Sequence, residues 1–323
     1  QSNVMIYSGP ARTLTESEEA IALCAQVFSA ENTDVSDDLQ KKLLTVGLPR
    51  FKIEDVIVVA HDTDGVLGVV VLAHRTLRRL SEKIPCSFLT SVCIAEKHRA
   101  KGLSGQLMHE ALHQCRKRGS AIALLIARRA VDHFYTQFGF WGLSTFNKLT
   151  VKREQLTEGD DFTFGESSPQ HISALSDLYE KTYAGIFGTL ERDDEDWAYI
   201  LEKVGHYGVS HLQIRCGKDV CGYLEVSGDI VHELALCSTV DPRAVLAAYC
   251  RQAELKALTL EIALSHPASE NLLPIGDSTA RECRYGAHMV AILDAELLRK
   301  SVENRVLEDC RQIGLENFQQ RKG

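Results

Sequence analysis

Apolar positions along the first half of the chain alternate between two spacings. Glu16–Glu31 carries them at helical spacing, whereas Val56–His61 and Val66–Ala73 are short, nearly continuous apolar runs of strand length. Asp62-Thr63-Asp64-Gly65 joins those two runs, and its Asp and Gly suit a hairpin turn. Met5–Leu14 reads as an opening strand. Further on, Ser87–Ala95 (SFLTSVCIA) predicts a strand, Gly102–Arg118 an amphipathic helix and Ala121–Ala127 a strand. A short helix around Val131–Phe138 and a strand near Trp141–Val151 complete the series. Sequential strands mixed with helices predict an α+β (mixed α/β) fold rather than a doubly wound parallel sheet.

After a polar stretch with a glycine, Lys152–Asp161 (KREQLTEGDD), the order begins again. Phe162–Gly165 predicts a strand, Pro169–Tyr183 a helix, and Asp193–Val204 a second helix with acidic residues in its favourable first turn. Strands follow at His211–Cys216, Val220–Val226 and Ile230–Cys237. Asp241-Pro242 opens a helix running to about Lys256, and Leu258–Leu264 is the next strand. The repetition predicts tandem domains, each a mixed central sheet flanked by helices: 1–150, a linker at 151–161, 162–290, and a strand-and-helix extension at 291–323.

Composition changes this picture little. The chain has 323 residues, 45% hydrophobic and 25% charged, a length suited to two domains. A net charge of −8 argues against nucleic acid as the main partner. No apolar run is long enough to span a bilayer and no secretory signal is legible, so a cytoplasmic protein without a membrane partner is expected. Gln1-Ser2-Asn3 reads as a tag remnant ahead of Met5. The ten cysteines are scattered without a C-x-x-C pair and read as reduced core residues.

The chemistry concentrates at one junction, Arg99-Ala100-Lys101-Gly102-Leu103-Ser104. A strand that enters a turn of small residues and then opens a helix presents unpaired N–H groups at the positive end of the helix dipole. Such a turn is an anion site suited to phosphate. Arg99 and Lys101 add positive charge beside it. Downstream lies Phe134-Tyr135-Thr136-Gln137-Phe138-Gly139-Phe140.

Together these segments resemble the GCN5-related N-acetyltransferase (GNAT) superfamily. Residues 87–118 are similar to its acetyl-coenzyme A motif, and 121–140 to the motif ending in Tyr-x-x-x-Gly-Phe. Ala100 and Ser104 depart from the family's more frequent Gly and Gly or Ala, but both are small. The resemblance implies that backbone groups of Val92, Cys93 and Ile94 pair with the pantetheine arm of acetyl-coenzyme A. It implies that N–H groups from Arg99, Ala100, Lys101, Gly102, Leu103 and Ser104 hold the pyrophosphate, and that Tyr135 protonates the departing thiolate. A phenol with a pKa of about 10 can donate to a thiolate whose acid has a pKa near ~8.5 only when well positioned. The implied function is acetyl transfer to an amine of a small molecule or peptide, without a metal. Glu82, Glu96, His98, Asp132 and His133 stand as candidate bases.

His109-Glu110-Ala111-Leu112-His113 matches the zinc-protease pattern H-E-x-x-H and keeps a zinc hydrolase as a remote alternative. Helical geometry opposes it. Leu103, Leu107, Ala111 and Cys115 form the apolar stripe, which turns His109 and His113 to solvent.

In the second half the corresponding turn is Ser238-Thr239-Val240-Asp241-Pro242-Arg243. It lacks glycine, puts a carboxylate where an anion would sit and loses one N–H at Pro242. One intact and one degenerate domain resemble the enhanced-intracellular-survival (Eis) family, with Asp177-Leu178-Tyr179, Arg192–Trp197, Gly222-Tyr223 and His232-Glu233-Leu234 as supporting residues. That resemblance leaves homo-oligomerisation open. A coenzyme A-binding protein that has kept the fold and lost catalysis is the main alternative to an enzyme.

Overall fold

The computed structural model describes residues 6–29, 48–79, 81–127, 131–142, 146–159, 161–186, 188–203, 208–263, 265–281 and 288–302. Its strands are β1 (Ile6–Pro10), β2 (Val56–His61), β3 (Gly65–Arg79), β4 (Glu82–Ile94), β5 (Ile122–Ile126), β6 (Trp141–Gly142), β7 (Phe146–Lys152), β8 (Phe162–Glu166), β9 (Thr189–Leu190), β10 (Ser210–Cys216), β11 (Asp219–Ser227), β12 (Ile230–Leu236), β13 (Ala257–Leu260), β14 (Asp277–Arg281) and β15 (His288–Ile292). The helices are α1 (Leu14–Ser29), α2 (Leu103–Lys117), α3 (Asp132–Thr136), α4 (Ile172–Tyr183), α5 (Asp194–Lys203), α6 (Pro242–Gln252) and α7 (Ser269–Leu272).

Two mixed sheets result. The first has the order β1-β2-β3-β4-β5-β15-β6, with β9 pairing on β3; the second has the order β14-β7-β13-β12-β11-β10-β8. Each is an antiparallel run that meets one parallel neighbour, β4 with β5 and β12 with β13. The next position in each sheet is filled by a strand from the far part of the chain. In the first sheet, β15 pairs antiparallel with β5, and in the second, β7 pairs antiparallel with β13. The two units are therefore tandem in sequence and exchange a strand in space.

That exchange explains where the fold departs from expectation. The single strand expected near Trp141–Val151 is two strands, β6 in the first sheet and β7 in the second. Leu149 and Val151 alternate inward and are buried in the second core, which draws β7 past residue 150 and into the expected linker. In the expected C-terminal extension, Ala291 and Ile292 belong to β15, and 303–323 lie outside the described residues. Strands β3 and β4 also run longer than their apolar patterns predict. Their outer ends carry Arg75, Arg78 and Lys83, charges that read as loop in sequence but pair with Asp196, Glu180 and Glu191 of the second half.

The first core lies on both faces of its sheet. Helix α2 packs Leu103, Leu107, Met108, Ala111, Leu112 and Cys115 against Ile57, Val59, Val70, Leu72 and Leu89. On the other face, α1 packs Ala20 and Cys24 against Val56, Val58, Val69, Val71 and Cys93. The second core gathers β7, β10–β13 and α6 around Leu224, Leu234, Val245, Leu246 and Leu258.

Candidate active site

The site begins where two strands separate. Parallel pairing between β4 and β5 is confined to Cys86–Ile122, Ser87–Ala123 and Phe88–Leu124. Beyond Phe88 the strands diverge, for two reasons. On β4 an extra residue is inserted: Val69 faces Cys93 while Val71 faces Thr90. Ser91 sits in this bulge with φ of +55°, a conformation costly for a non-glycine residue. On β5 the opposite edge is held by β15, as far as the His288–Ile126 pair.

The opening is a cleft of about 850 Å3. Its walls come from β4 (Phe88–Ile94), the end of β5 (Leu125, Ile126), α1 (Val27, Phe28) and α3 (His133, Phe134, Tyr135). At its mouth lie His98, Arg99, Ala100, Leu103 and Ser104. Of the residues expected at the coenzyme site, Val92, Cys93, Ile94, Arg99, Ala100, Leu103 and Ser104 line this cleft together with Tyr135; Lys101 and Gly102 complete the same turn.

The turn is built for close backbone approach. Ala100 has φ of +59° and Gly102, which precedes the first residue of α2, has φ of +78°. A Cβ on Gly102 would meet no atom within 4 Å, so glycine is required there by backbone conformation and not by crowding. The Arg99 Nε donates to the Ile94 carbonyl at 3.3 Å, tying the turn back to the end of β4. Among the described residues, the backbone N–H groups from Ala100 to Ser104 have no hydrogen-bond partner. They lie at and just before a helix N-terminus, where the dipole favours negative charge.

Tyr135 is held by its neighbours: its ring meets Phe134 edge-on at 5.1 Å and Phe140 at 6.1 Å, and it is 8% exposed. Phe140 is fully buried, so the Tyr-x-x-x-Gly-Phe segment anchors the tyrosine at the cleft wall. Beneath the bulge, Cys24 donates to the Ser91 carbonyl, and its thiol is pushed well above its ordinary pKa by hydrogen bonding with Cys93 and by burial.

The candidate bases scatter. His98 and His133 line the cleft. Glu96 and Asp132 are near it in sequence without lining it, and Glu82 starts β4 at the opposite end. His109 and His113 are exposed, His109 resting edge-on against Phe138 at 5.3 Å, and Glu110 accepts from Gln114. Among the described residues no three His, Cys, Asp or Glu side chains gather to hold a metal ion, and no helix is long and apolar enough to cross a membrane.

The matching place in the second sheet is filled. Past the Val231–Leu260 pair, the Tyr183 hydroxyl donates to the Leu234 carbonyl at 3.0 Å and accepts from the Leu234 N–H at 3.2 Å. His266 Nε2 also lies 2.8 Å from that carbonyl. The backbone that would pair with a ligand arm is thus occupied by the protein's own side chains. At α6, the Asp241 carboxylate accepts from the Arg243 N–H at 2.9 Å and takes the anion position itself. Behind this wall, a buried cluster that the sequence showed only as scattered residues joins Arg192, Glu233, Tyr223 and His211. Arg192 grips Glu233 through two nitrogens, at 2.7 and 2.8 Å, and Tyr223 donates to Glu233 at 2.6 Å.

Residues 11–143 match the family model of the acetyltransferase (GNAT) domain. The structure superposes on a GCN5-related N-acetyltransferase from Kribbella flavida with a TM-score of 0.66 at 16% identity, covering 91% of this chain and 72% of that one. A probable N-acyltransferase from Enterococcus faecalis V583 gives 0.66 at 15% identity, with 92% and 74% covered. Eis1 from Mycobacterium abscessus gives 0.65 at 15%, with 92% and 76% covered. At such identities the likeness is one of fold. Comparison with curated proteins gives no match. Residues 11–143 thus match the GNAT acetyltransferase domain model, and the chain as a whole shares its fold with these three proteins.

Proposed function

We propose that the protein is an N-acetyltransferase that moves an acetyl group from acetyl-coenzyme A to an amine by direct attack on the thioester. The observation that carries this reading is the cleft between β4 and β5, with the free N–H groups of Ala100–Ser104 at its mouth and Tyr135 on its wall. The N–H groups and Arg99 hold the pyrophosphate. The edge of β4 at Val92, Cys93 and Ile94, which β5 no longer pairs with beyond Phe88, runs alongside the pantetheine arm, as the partner of an added strand would. The amine nitrogen attacks the carbonyl carbon, the C–S bond breaks, and the sulfur takes the proton of the Tyr135 hydroxyl. The proton lost by the amine restores the phenol through solvent. A neutral amine is nucleophilic enough that the step as written needs no metal.

The second half, with its ligand groups taken by Tyr183, His266 and Asp241, supports the first without binding a donor of its own. Release of coenzyme A thiol across an amine panel tests the reading. Turnover with at least one amine is expected, and Tyr135→Phe lowers kcat about 100-fold, as loss of a general acid does, with little change in KM for acetyl-coenzyme A. Binding of acetyl-coenzyme A without turnover on any amine supports the non-catalytic alternative instead.

A further inference from the structure

A second cavity, of about 520 Å3, lies at the junction of the two halves and is not used by the acetyl-transfer reading. Its floor is the segment Leu72–Thr76 of β3. On one side of this segment β2 stops at Val56, opposite Val71. Further along, β9 begins, pairing Leu190 with Leu77, and the Glu191 N–H donates to the Thr76 carbonyl at 2.9 Å. Between these two partners no strand among the described residues pairs with this edge of β3.

The direction of the open groups follows from strand alternation. The Val56 carbonyl turns away to the Ala11 N–H, so Ile57 faces Val70 in a bonded pair. The N–H and C=O of Val70, Leu72, His74 and Thr76 therefore point to the same edge. Among the described residues, no hydrogen bond reaches the His74 N–H, the His74 C=O or the Thr76 N–H on that side. An unpaired donor and acceptor on one strand residue form the half-site that an incoming peptide unit completes.

The walls carry charge. Asp55 is held by Arg118 at 2.9 Å and His74 at 3.2 Å, and Asp196 by Arg50 at 2.9 Å and Arg75 at 3.2 Å. Glu191 is held by Lys83 at 2.6 Å and Asp193 by Arg50 at 2.5 Å. Each lining carboxylate thus has a cation. Lys52 is the lining cation left without an ion pair among the described residues.

We propose that this cavity binds a short extended peptide with a free carboxylate: one peptide residue exchanges both backbone hydrogen bonds with His74, and its carboxylate meets Lys52. The space between Asp55 and Glu191 faces Ala73, His74 and Arg75 and so admits about three residues, at roughly 3.4 Å each. The site is independent of the donor cleft.

Tri-alanine, its C-terminal amide and an ester analogue lacking the central N–H serve as probes, read by amide hydrogen exchange and calorimetry on the full chain. In the free protein the His74 amide exchanges as an open-edge amide, faster than that of Val70. Tri-alanine slows it at least fivefold, and saturating acetyl-coenzyme A leaves that binding unchanged. The amide form, the ester and the Lys52→Glu variant each weaken binding fivefold or more. The proposal is overturned if His74 is already as protected as Val70, if tri-alanine leaves its rate unchanged, or if acetyl-coenzyme A displaces the peptide.

Discussion

Arg50 and Asp196 join the two halves of the molecule: the guanidinium Nη2 lies 2.9 Å from Oδ1 of a carboxylate on a residue only 2% exposed. Arg75 approaches the same oxygen at 3.2 Å, and the second oxygen accepts from the Asp193 N–H at the start of α5. Arg50 itself has φ of +58°, in the left-handed region. Removing the Asp196 carboxylate strands the buried Arg75 guanidinium and leaves the Asp193 N–H at the start of α5 without its acceptor. Asp196→Ala is expected to lose about 3 kcal/mol in urea unfolding, because breaking a buried pair leaves its partner uncompensated. Arg50, with its side chain 40% exposed, contributes less, and Arg50→Ala loses about 1 kcal/mol. A double-mutant cycle in which the two losses add fully contradicts the pairing.

The phosphate turn can be tightened. Ala100 occupies the left-handed region at +59°, where a Cβ costs about 1 kcal/mol. Ala100→Gly is expected to raise stability by about that amount and to keep acetyl-coenzyme A binding. Gly102→Val moves both quantities the other way, through backbone strain alone, since a Cβ there meets no neighbour within 4 Å. Thermal unfolding with and without the ligand checks both variants.

His211 makes the fold acid-sensitive. Burial pushes its pKa from 6.5 down to about 4, outweighing the attraction of Glu233. The unfolded chain therefore binds a proton between about pH 6.5 and 4 that the folded chain refuses. Its contribution is full above pH 6.5 and lost as pH falls toward 4, by up to about 3 kcal/mol. His211→Phe, stacked on Tyr223 in the same place, is expected to flatten that part of the stability profile measured by denaturant titration. A profile unchanged by the substitution contradicts the assignment.

The exchanged strand β15 ties the far part of the chain into the first sheet. Met289 and Ala291 on β15 are 3% and 2% exposed in the first core. Met289→Ala is expected to cost about 2–3 kcal/mol by cavity formation. A chain ending before residue 288 leaves β5 with an open edge and is expected to lose cooperative unfolding by circular dichroism. A truncated chain as stable as the full one contradicts the exchange.

Much of the cleft between β4 and β5 was legible in the sequence because its signals are local. Small residues at Ala100 and Gly102, the register of Leu103, Leu107 and Ala111, and the Tyr135–Phe140 spacing each follow from a few neighbouring positions. The repeat was legible in the order of elements, and the structure adds a local echo of it: Gly222 sits against Leu236 as Gly68 sits against Ile94, each glycine facing its register partner across a strand pair. What stayed hidden is non-local. No pattern announced that β7 and β15 change places, since any sheet with the right register buries Leu149 or Met289 equally well. The charged ends of β3 and β4 read as loop because their partners lie about 100 residues away, as in the pair of Arg78 with Glu180. Closure of the second cleft by Tyr183 and His266 depends on two elements converging on Leu234. Residues 30–47, between α1 and the segment that leads into β2, lie outside the described residues, which begin again at residue 48.

Calorimetric titration of the full chain with acetyl-coenzyme A tests the central claim most directly. One micromolar site is predicted, weakened at least tenfold in a folded Gly102→Val variant and retained in Tyr135→Phe. No binding by folded wild-type protein, or equal binding by Gly102→Val, contradicts the assignment of the turn at Arg99–Ser104 to the donor.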